Sequence, residues 1–148
     1  MEVGVLDDVT EQIIGAAIAV HQTLGPGLLE SAYESCLAFE LTERNLKVER
    51  QRSFPLIYKS MRIESAYRID LVVQGSVIVE IKALEQLLPV HQAQLLSYLR
   101  LASLPIGLLI NFHVASLKNG IRRVVNSYSP SLRPPRSSAS SALKGNAT

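Results

Sequence analysis

Two carboxylates and one lysine stand at a spacing that could hold a divalent cation beside a phosphate group. Asp70 is followed ten residues later by Glu80-Ile81-Lys82. Each carboxylate lies in a β-branched run typical of a strand, and a short Gly-containing turn separates the two runs. Mg²⁺ prefers oxygen ligands such as carboxylates, and a bound metal polarises a phosphate and activates water. The spacing therefore indicates metal-assisted chemistry at one end of a hairpin.

The register of this hairpin decides whether the two carboxylates meet. A three-residue turn, Gln74-Gly75-Ser76, would place Asp70 directly opposite Glu80 on the same face of the sheet. A two-residue turn, Gln74-Gly75, would pair Asp70 with Val79 and send the carboxylates to opposite faces. The residue types leave both registers open, and we take the first as the hypothesis.

A structural ion pair is the alternative interpretation of the same residues. On spacing alone, an ion pair of Lys82 with Asp70 at a sheet end is favoured, because an acid ten residues before Glu-x-Lys is a weak pattern. If the carboxylates instead share a face, they repel each other, and one takes up a proton unless a cation intervenes. An ion pair predicts that Asp70→Asn destabilises the fold, whereas repulsion predicts relief.

Two helical constellations lie near this hairpin in the predicted order of elements. His91, Gln94 and Tyr98 are spaced three and four apart, so they form one polar stripe that could line a site. Partial exposure of an ordinary helix face is the alternative. Glu30 and Tyr33 lie one turn apart near a helix N-terminus, where an acid also complements the helix dipole.

The elements that must position these residues follow from periodicity and turn signals. Helical spacing predicts helices over residues 9–23, 28–44 and 89–102, with Asn45 as a left-handed cap after the second. Strand patterns cover residues 47–58, 62–73, 77–82, 106–112 and 121–125. Pro55 marks the first strand as an edge strand or an irregular one. The order predicts a mixed α/β arrangement.

Length and composition indicate one globular domain over residues 1–128. Residues 129–148 are rich in Ser, Pro and Ala and are predicted to be a disordered basic tail. No stretch is long and apolar enough to suggest a membrane span, and the acidic N-terminus is unlike a secretory signal. Cys36 is the only cysteine, so no intrachain disulfide can form, and a cytoplasmic location is expected.

The charge distribution suggests a polyanion partner. The tail holds Arg133, Arg136 and Lys144 and no acid, so the remaining 128 residues carry a net charge of −1. Residues 44–68, in contrast, contain seven basic and two acidic side chains. Such a cluster could hold a nucleic-acid backbone, although a solvated strand face is the alternative. The candidate phosphate-binding residues are Arg50, Arg52, Lys59, Arg62 and Arg68.

Several motifs together resemble the GxxExxY protein family, a small prokaryotic group. The resemblance begins at residues 21–33, which include Gly27-x-x-Glu30-x-x-Tyr33, and spans about residues 8–126. The other motifs lie at residues 67–73, 79–83, 91–99, 107–112 and 124–126. That family is assigned to the PD-(D/E)XK nuclease-like superfamily. The resemblance implies a restriction-endonuclease-like core, in which helices flank a central mixed β-sheet.

The resemblance also implies roles for individual residues. Asp70 and Glu80 would bind Mg²⁺ or Mn²⁺ together with Glu30 and the Ile81 carbonyl, and Lys82 would be the catalytic lysine. The residues expected to support the site are Gln94 and Tyr98, as a Gln-x-x-x-Tyr element, with His91 and Tyr33. The implied function is metal-dependent hydrolysis of DNA or RNA. The sequence leaves a homodimer open, and no membrane is expected as a partner. A binding or assembly module that keeps the fold but does not cut is the alternative.

Overall fold

Three α-helices and five strands make up most of residues 3–127, the part of the chain that the computed structural model describes. The tail predicted at residues 129–148 lies outside these residues. The elements in order are α1 Val3–Leu24, α2 Glu30–Glu43, β1 Val48–Tyr58, β2 Met61–Val73, β3 Val77–Lys82, α3 Pro89–Ala102, β4 Ile106–Asn111, a 3₁₀ turn Leu117–Gly120 and β5 Ile121–Val125.

The first helix starts earlier than its sequence pattern predicts. It begins at Val3 instead of residue 9. Leu6 is buried together with Val9 and Ile13, so the apolar stripe continues one turn towards the N-terminus. The other predicted elements agree with the observed ones to within two residues, and β3, α3 and β5 have the predicted bounds. Asn45 has the left-handed φ of 63° predicted for it after α2.

The strands form one mixed sheet in the order β1-β2-β3-β4-β5. Neighbouring strands are antiparallel except β3 and β4, which are parallel. A parallel pair requires a crossover connection, and α3 supplies it. This is the mixed α/β arrangement that the sequence predicts.

Helices cover both faces of the sheet. The larger core lies on the face that carries α1 and α2, and it takes in Val77, Val79 and Ile81 of β3. The smaller core lies on the face that carries α3, and Ile78 belongs to it. Because side chains alternate along a strand, Glu80 shares the α3 face with Ile78.

The segment between α1 and α2 is a turn fixed by Tyr33. Gly25 and Gly27 have φ of 68° and 106°, values that residues with a side chain rarely adopt. The Tyr33 hydroxyl donates a hydrogen bond to the Gly25 carbonyl at 2.6 Å and accepts one from the Leu28 N–H at 3.1 Å. The Tyr33 ring is fully buried and stacks on Phe112 at 4.5 Å. This stretch therefore has a structural role in closing the turn.

The β1–β2 hairpin extends well beyond the rest of the sheet. Its pairing runs from Val48–Val73 to Tyr58–Met61, whereas β3 pairs with β2 only at residues 71–73. Residues 54–67 thus form a two-stranded arm, which we call the arm below. The register of β1 shifts between Phe54 and Leu56, around Pro55, on an edge strand as the sequence predicts.

Within residues 3–127, no helix combines the length and the hydropathy needed to cross a bilayer.

Candidate active site

The hairpin between β2 and β3 has the register that brings Asp70 and Glu80 together. The pairs Leu71–Val79, Val72–Ile78 and Val73–Val77 enclose a three-residue turn. The same register sets Asp70 across from Glu80, which confirms the first of the two hypotheses. Gln74 and Gly75 both have left-handed backbone conformations, with φ of 54° and 63°. The residue types could not decide the register because glutamine seldom occupies that conformation.

Where β2 and β3 separate, the carboxylates of Asp70 and Glu80 take the place of backbone carbonyls as hydrogen-bond acceptors between the strands. The Asp70 N–H donates a hydrogen bond to Glu80 Oε2 at 2.9 Å. The Ile81 N–H donates one to Asp70 Oδ2, also at 2.9 Å. Each acid therefore binds the partner strand, and the ladder of paired residues ends at Leu71–Val79. This exchange holds both carboxylates where β2 and β3 separate.

Electrostatic repulsion acts on this pair. The Glu80 residue is only 6% exposed. Burial, followed by the negative charge of Asp70, raises the pKa of Glu80 from 4.5 to about 8. The hydrogen bond from the Asp70 backbone and the charge of Lys82 oppose this rise in pKa without cancelling it. Without a cation, the surroundings of Glu80 therefore favour its protonated form.

Helix α2 contributes an acid that the sequence analysis missed. Glu34 is 7% exposed, and its charge also raises the pKa of Glu80. Glu34 Oε1 accepts a hydrogen bond from Gln51 Nε2 at 2.6 Å, and the same nitrogen donates to Asp70 Oδ1 at 3.2 Å. Arg50 Nε pairs with Glu34 Oε2 at 3.2 Å. The acid of α2 that reaches the pair is therefore Glu34.

Glu30, the acid predicted for this helix, occupies a different environment. It is the first residue of α2 and is exposed, without a hydrogen bond or ion pair to another described side chain. A signal for Glu34 was present in the sequence. It lies beside Tyr33 and three residues before Leu37, on the stripe of α2 that is buried. A buried acid on such a stripe is unusual and points to a partner or a function.

Lys82 lies beside Asp70 and Glu80, and its ammonium group forms no ion pair with the described residues. It is half-buried and follows Glu80 by two residues, so both side chains point to the same face of β3. Its charge lowers the pKa of Glu80. None of the ion pairs within residues 3–127 involves the Lys82 ammonium group. The alternative of a structural Lys82–Asp70 ion pair is therefore not what this part of the chain shows.

Tyr98 is the residue of the α3 polar stripe that faces the acids. Burial, then the charges of Glu80 and Asp70, raise the pKa of Tyr98 above its ordinary value. Its ring stacks on Tyr67 at 4.9 Å. Burial, with a smaller effect of Tyr98, raises the pKa of Tyr67 to about 12. The Tyr67 hydroxyl is buried and has no hydrogen-bond partner among the described residues, and the sequence analysis did not single it out.

The other two polar residues of α3 are Gln94 and His91, one and two turns before Tyr98. Gln94 is exposed. His91 Nδ1 accepts a hydrogen bond from the Leu88 N–H at 2.9 Å, and the His91 N–H donates to the Leu88 carbonyl at 2.9 Å. His91 therefore caps the start of α3. Like Tyr33, it has a structural contact, and neither residue is part of the site proposed below.

The predicted phosphate-binding cations lie on β1, on β2 and in the turn between them. Arg50 is paired with Glu34, Arg52 with Glu49 at 3.2 Å, and Arg62 with Glu64. Lys59 stands over the Tyr58 ring at 5.4 Å. Arg68 is exposed and has no ion pair within the described part of the chain. The side chains of the three paired arginines remain about half exposed, so a phosphate could still reach them.

The donor set suits a hard divalent cation, although the acids are not gathered around one point. Among residues 3–127, no group of three or more His, Cys, Asp or Glu side chains is arranged to hold a metal ion. The reason is visible in the contacts, because Asp70 and Glu80 bind backbone N–H groups and Glu34 binds Arg50 and Gln51. Mg²⁺ commonly uses only one or two carboxylates and keeps its waters. Asp70 and Glu80 fit that need, and a cation would relieve their repulsion.

Comparison with known proteins adds the family. The sequence profile described as the PD-(D/E)XK nuclease superfamily matches residues 7–124. Searches of curated proteins and of solved structures return no match. The profile covers the whole sheet up to Val124 and all the acids of the site. It bears out the superfamily that the motif resemblance implies, while the narrower GxxExxY group stays a resemblance. The chain therefore belongs to the PD-(D/E)XK nuclease superfamily.

Proposed function

We propose that this chain is a divalent-metal-dependent phosphodiesterase that hydrolyses DNA or RNA. The observation that carries the proposal is the uncompensated acid pair, Asp70 and Glu80, beside a lysine that has no ion pair within residues 3–127. An acid with a strongly raised pKa, as Glu80 has, next to a cation without an ion pair is typical of catalytic sites. Superfamily membership supplies the class of reaction.

The metal would be held by Asp70 and Glu80, with the Ile81 carbonyl as a further oxygen ligand. We place Glu34 at the edge of this set, in the position that the sequence analysis gave to Glu30. Bound Mg²⁺ or Mn²⁺ would polarise the phosphate and lower the pKa of a coordinated water. Glu80 must be ionised to bind a metal, so occupation of the site would favour loss of its proton.

Lys82 and Tyr98 would act on the substrate side of the acid pair. In hydrolysis, a water oxygen bonds to phosphorus and gives up a proton, the bond from phosphorus to the leaving oxygen breaks, and the leaving oxygen takes up a proton. The Lys82 ammonium group can orient the water and stabilise the negative charge that develops on the phosphate oxygens. The Tyr98 hydroxyl, which is protonated at neutral pH, can donate a hydrogen bond to a phosphate oxygen.

The cations of β1, β2 and the turn between them would hold the nucleic-acid backbone. Arg52 and Arg68 lie on the two strands that lead from the arm to Asp70. Phosphate contacts of this kind carry little sequence information and weaken steeply as salt rises. The proposal therefore includes DNA or RNA as the partner, bound mainly through phosphates.

A cleavage assay tests the proposal. Purified protein is incubated with labelled single- and double-stranded DNA and RNA in Mg²⁺, in Mn²⁺ and in EDTA. Wild type should cut at least one substrate in the presence of metal and none in EDTA, and Asp70→Asn should be inactive. Glu30→Gln, a change at an exposed acid of α2, is the matched control and should cut. Absence of metal-dependent cleavage of every substrate would reject the function.

A module that binds nucleic acid without cutting it is the second candidate. The observation that favours it is that the acids already bind groups of the protein, with no three-ligand cluster in residues 3–127. Fluorescence anisotropy with intact oligonucleotides separates the two functions. A module binds with equal affinity in EDTA and Mn²⁺ and leaves the oligonucleotide whole, whereas a nuclease produces fragments in Mn²⁺.

A further inference from the structure

Gln51 has an unusual backbone conformation for a strand residue. Its φ is 50°, in the left-handed region that residues with a side chain seldom adopt. The flanking pairs Arg50–Leu71 and Arg52–Ile69 keep a constant register, so Gln51 stands opposite Asp70 without an inserted residue. Strained conformations of this kind persist where the surrounding structure enforces them, and they cluster at functional sites.

The side chain of Gln51 joins two separate elements to each other. Its Nε2 donates to Glu34 Oε1 of α2 at 2.6 Å and to Asp70 Oδ1 of β2 at 3.2 Å. A glutamine amide has two N–H donors, so one group can serve both acids. The remaining oxygens are held as well, with Asp70 Oδ2 on the Ile81 N–H and Glu34 Oε2 on Arg50. The amide therefore fixes the separation of two carboxylates that would otherwise repel each other.

The bridge differs from an ion pair because the Gln51 amide carries no charge. A lysine or arginine at position 51 would bind the same oxygens but would neutralise the charge that a metal needs. An amide restrains the carboxylates by hydrogen bonds and leaves their negative charge in place. Among the described residues, the cation that forms an ion pair with an acid of the bridge is Arg50, which pairs with Glu34.

We propose that Gln51 is a positioning residue that holds Asp70 and Glu34 in the geometry that the metal site requires. The existence of the bridge rests on the contacts described above. Its purpose, to position metal ligands, rests on the proposed function. Gln51 acts through the two acids, with no assigned contact to the substrate.

The chain offers a matched control in Gln74. This glutamine also has a left-handed φ, 54°, but it lies in the β2–β3 turn, where its side-chain oxygen accepts a hydrogen bond from the Lys47 N–H. Replacement by glycine at either position removes an amide and relieves the same backbone strain. Only the change at residue 51 removes the bridge between the acids.

The first experiment measures Mn²⁺ affinity by calorimetry. Gln51→Gly and Gln51→Leu should each weaken Mn²⁺ binding about tenfold or more, and Gln74→Gly should change it by less than about twofold. Use of both glycine and leucine separates loss of the amide from backbone strain, because only leucine retains the strain. If Gln51→Gly binds Mn²⁺ as tightly as wild type, the positioning role is wrong while the metal site stands.

A second experiment needs no metal and so separates this inference from the proposed function. Unfolding of Glu34→Ala, Gln51→Gly and the double variant is measured in EDTA. If the bridge exists, the two single changes remove the same contact, so their effects on the unfolding constant do not simply multiply. The unfolding constant of the double variant should be at least about threefold smaller than the product of the two single effects predicts. Additive effects would overturn the inference whatever the metal titration shows. Coupling without Mn²⁺ binding by wild type would keep the bridge and reject the metal site.

Discussion

The turn at residues 25–33 and the hairpin at residues 70–82 are both parts of the motif resemblance, but they use their polar groups in different ways. In the turn, the Tyr33 hydroxyl both donates and accepts, and the groups that it meets are backbone groups. In the hairpin, two acids are pressed together, the pKa of Glu80 is raised to about 8, and Lys82 makes no ion pair within residues 3–127.

This difference separates structural motifs from reactive ones. Buried polar groups that satisfy one another stabilise a single conformation. Buried charges that remain uncompensated cost stability, and a protein retains them where a ligand supplies the compensation. A motif recognised in the sequence does not show whether its polar residues are structural or reactive. The hydrogen-bond and ion-pair partners of those residues in the structure do show it.

Among the variants that test this difference, Lys82→Ala should have the largest effect on the cleavage rate. Loss of the ammonium group should lower the rate of metal-dependent cleavage about 10²–10³-fold, because charge on the phosphate would no longer be stabilised. Thermal unfolding should change little, since Lys82 forms no ion pair with the described residues. Lys118→Ala, at an exposed lysine of the 3₁₀ turn, is the control. A variant at residue 82 that cuts as fast as wild type would contradict the mechanism.

The next effect concerns the pH dependence of stability in the metal-free protein. The pKa of Glu80 is raised from 4.5 to about 8 in the folded state, so the folded protein keeps a proton that the unfolded chain releases. The free energy of unfolding should therefore be unaffected by this group below pH 4.5 and should decrease as the pH rises from 4.5 to 8. One pKa unit corresponds to about 1.4 kcal/mol, so the decrease is several kcal/mol at most.

Denaturant unfolding in EDTA at a series of pH values measures this decrease. Glu80→Gln should remove it, because a glutamine does not titrate. Glu30→Gln, at an exposed acid, should retain it. A wild-type stability that is constant across this range, or that rises, would show that Glu80 is not held protonated by its surroundings.

A smaller effect should come from the turn. Tyr33→Phe removes the hydroxyl that binds Gly25 and Leu28, and we expect a loss of about 1–3 kcal/mol in unfolding free energy. The cleavage rate per folded molecule should be unchanged. Tyr58→Phe, at an exposed position of the arm, should affect neither quantity. If folded Tyr33→Phe cuts more slowly than wild type, the turn is not purely structural, and the difference drawn between the turn and the hairpin is wrong.

The sequence could predict the frame of this site better than its details. The bounds of β3 and α3 follow from alternation, from β-branched residues and from Pro89 at the first helical position. Glu34 was missed because Glu30, in the first turn, fits both the helix dipole and the family motif. Gln51 was missed because glutamine, unlike glycine or asparagine, does not signal a left-handed φ. Long-range partners decide both cases, and local pattern does not report them.

The smallest effect is expected on nucleic-acid binding. Arg68→Ala should lower affinity modestly and reduce the slope of log affinity against log salt by about 0.7–0.9, as for one lost phosphate contact. Arg123→Ala is the control, because Arg123 pairs with Asp7 at 2.6 Å and lies on the opposite edge strand. Anisotropy over a series of salt concentrations measures both slopes. An unchanged slope for Arg68→Ala would remove this residue from the nucleic-acid interface.

The most direct test of the central claim is a calorimetric titration of wild type and Asp70→Asn with Mn²⁺. The uncompensated pair predicts that wild type binds one Mn²⁺ at millimolar concentration or below, and that Asp70→Asn binds at least about tenfold more weakly. Both proteins are first shown to be folded by circular dichroism. Equal binding by the two proteins, or no binding by wild type at millimolar Mn²⁺, would contradict the claim that Asp70 and Glu80 form a metal site.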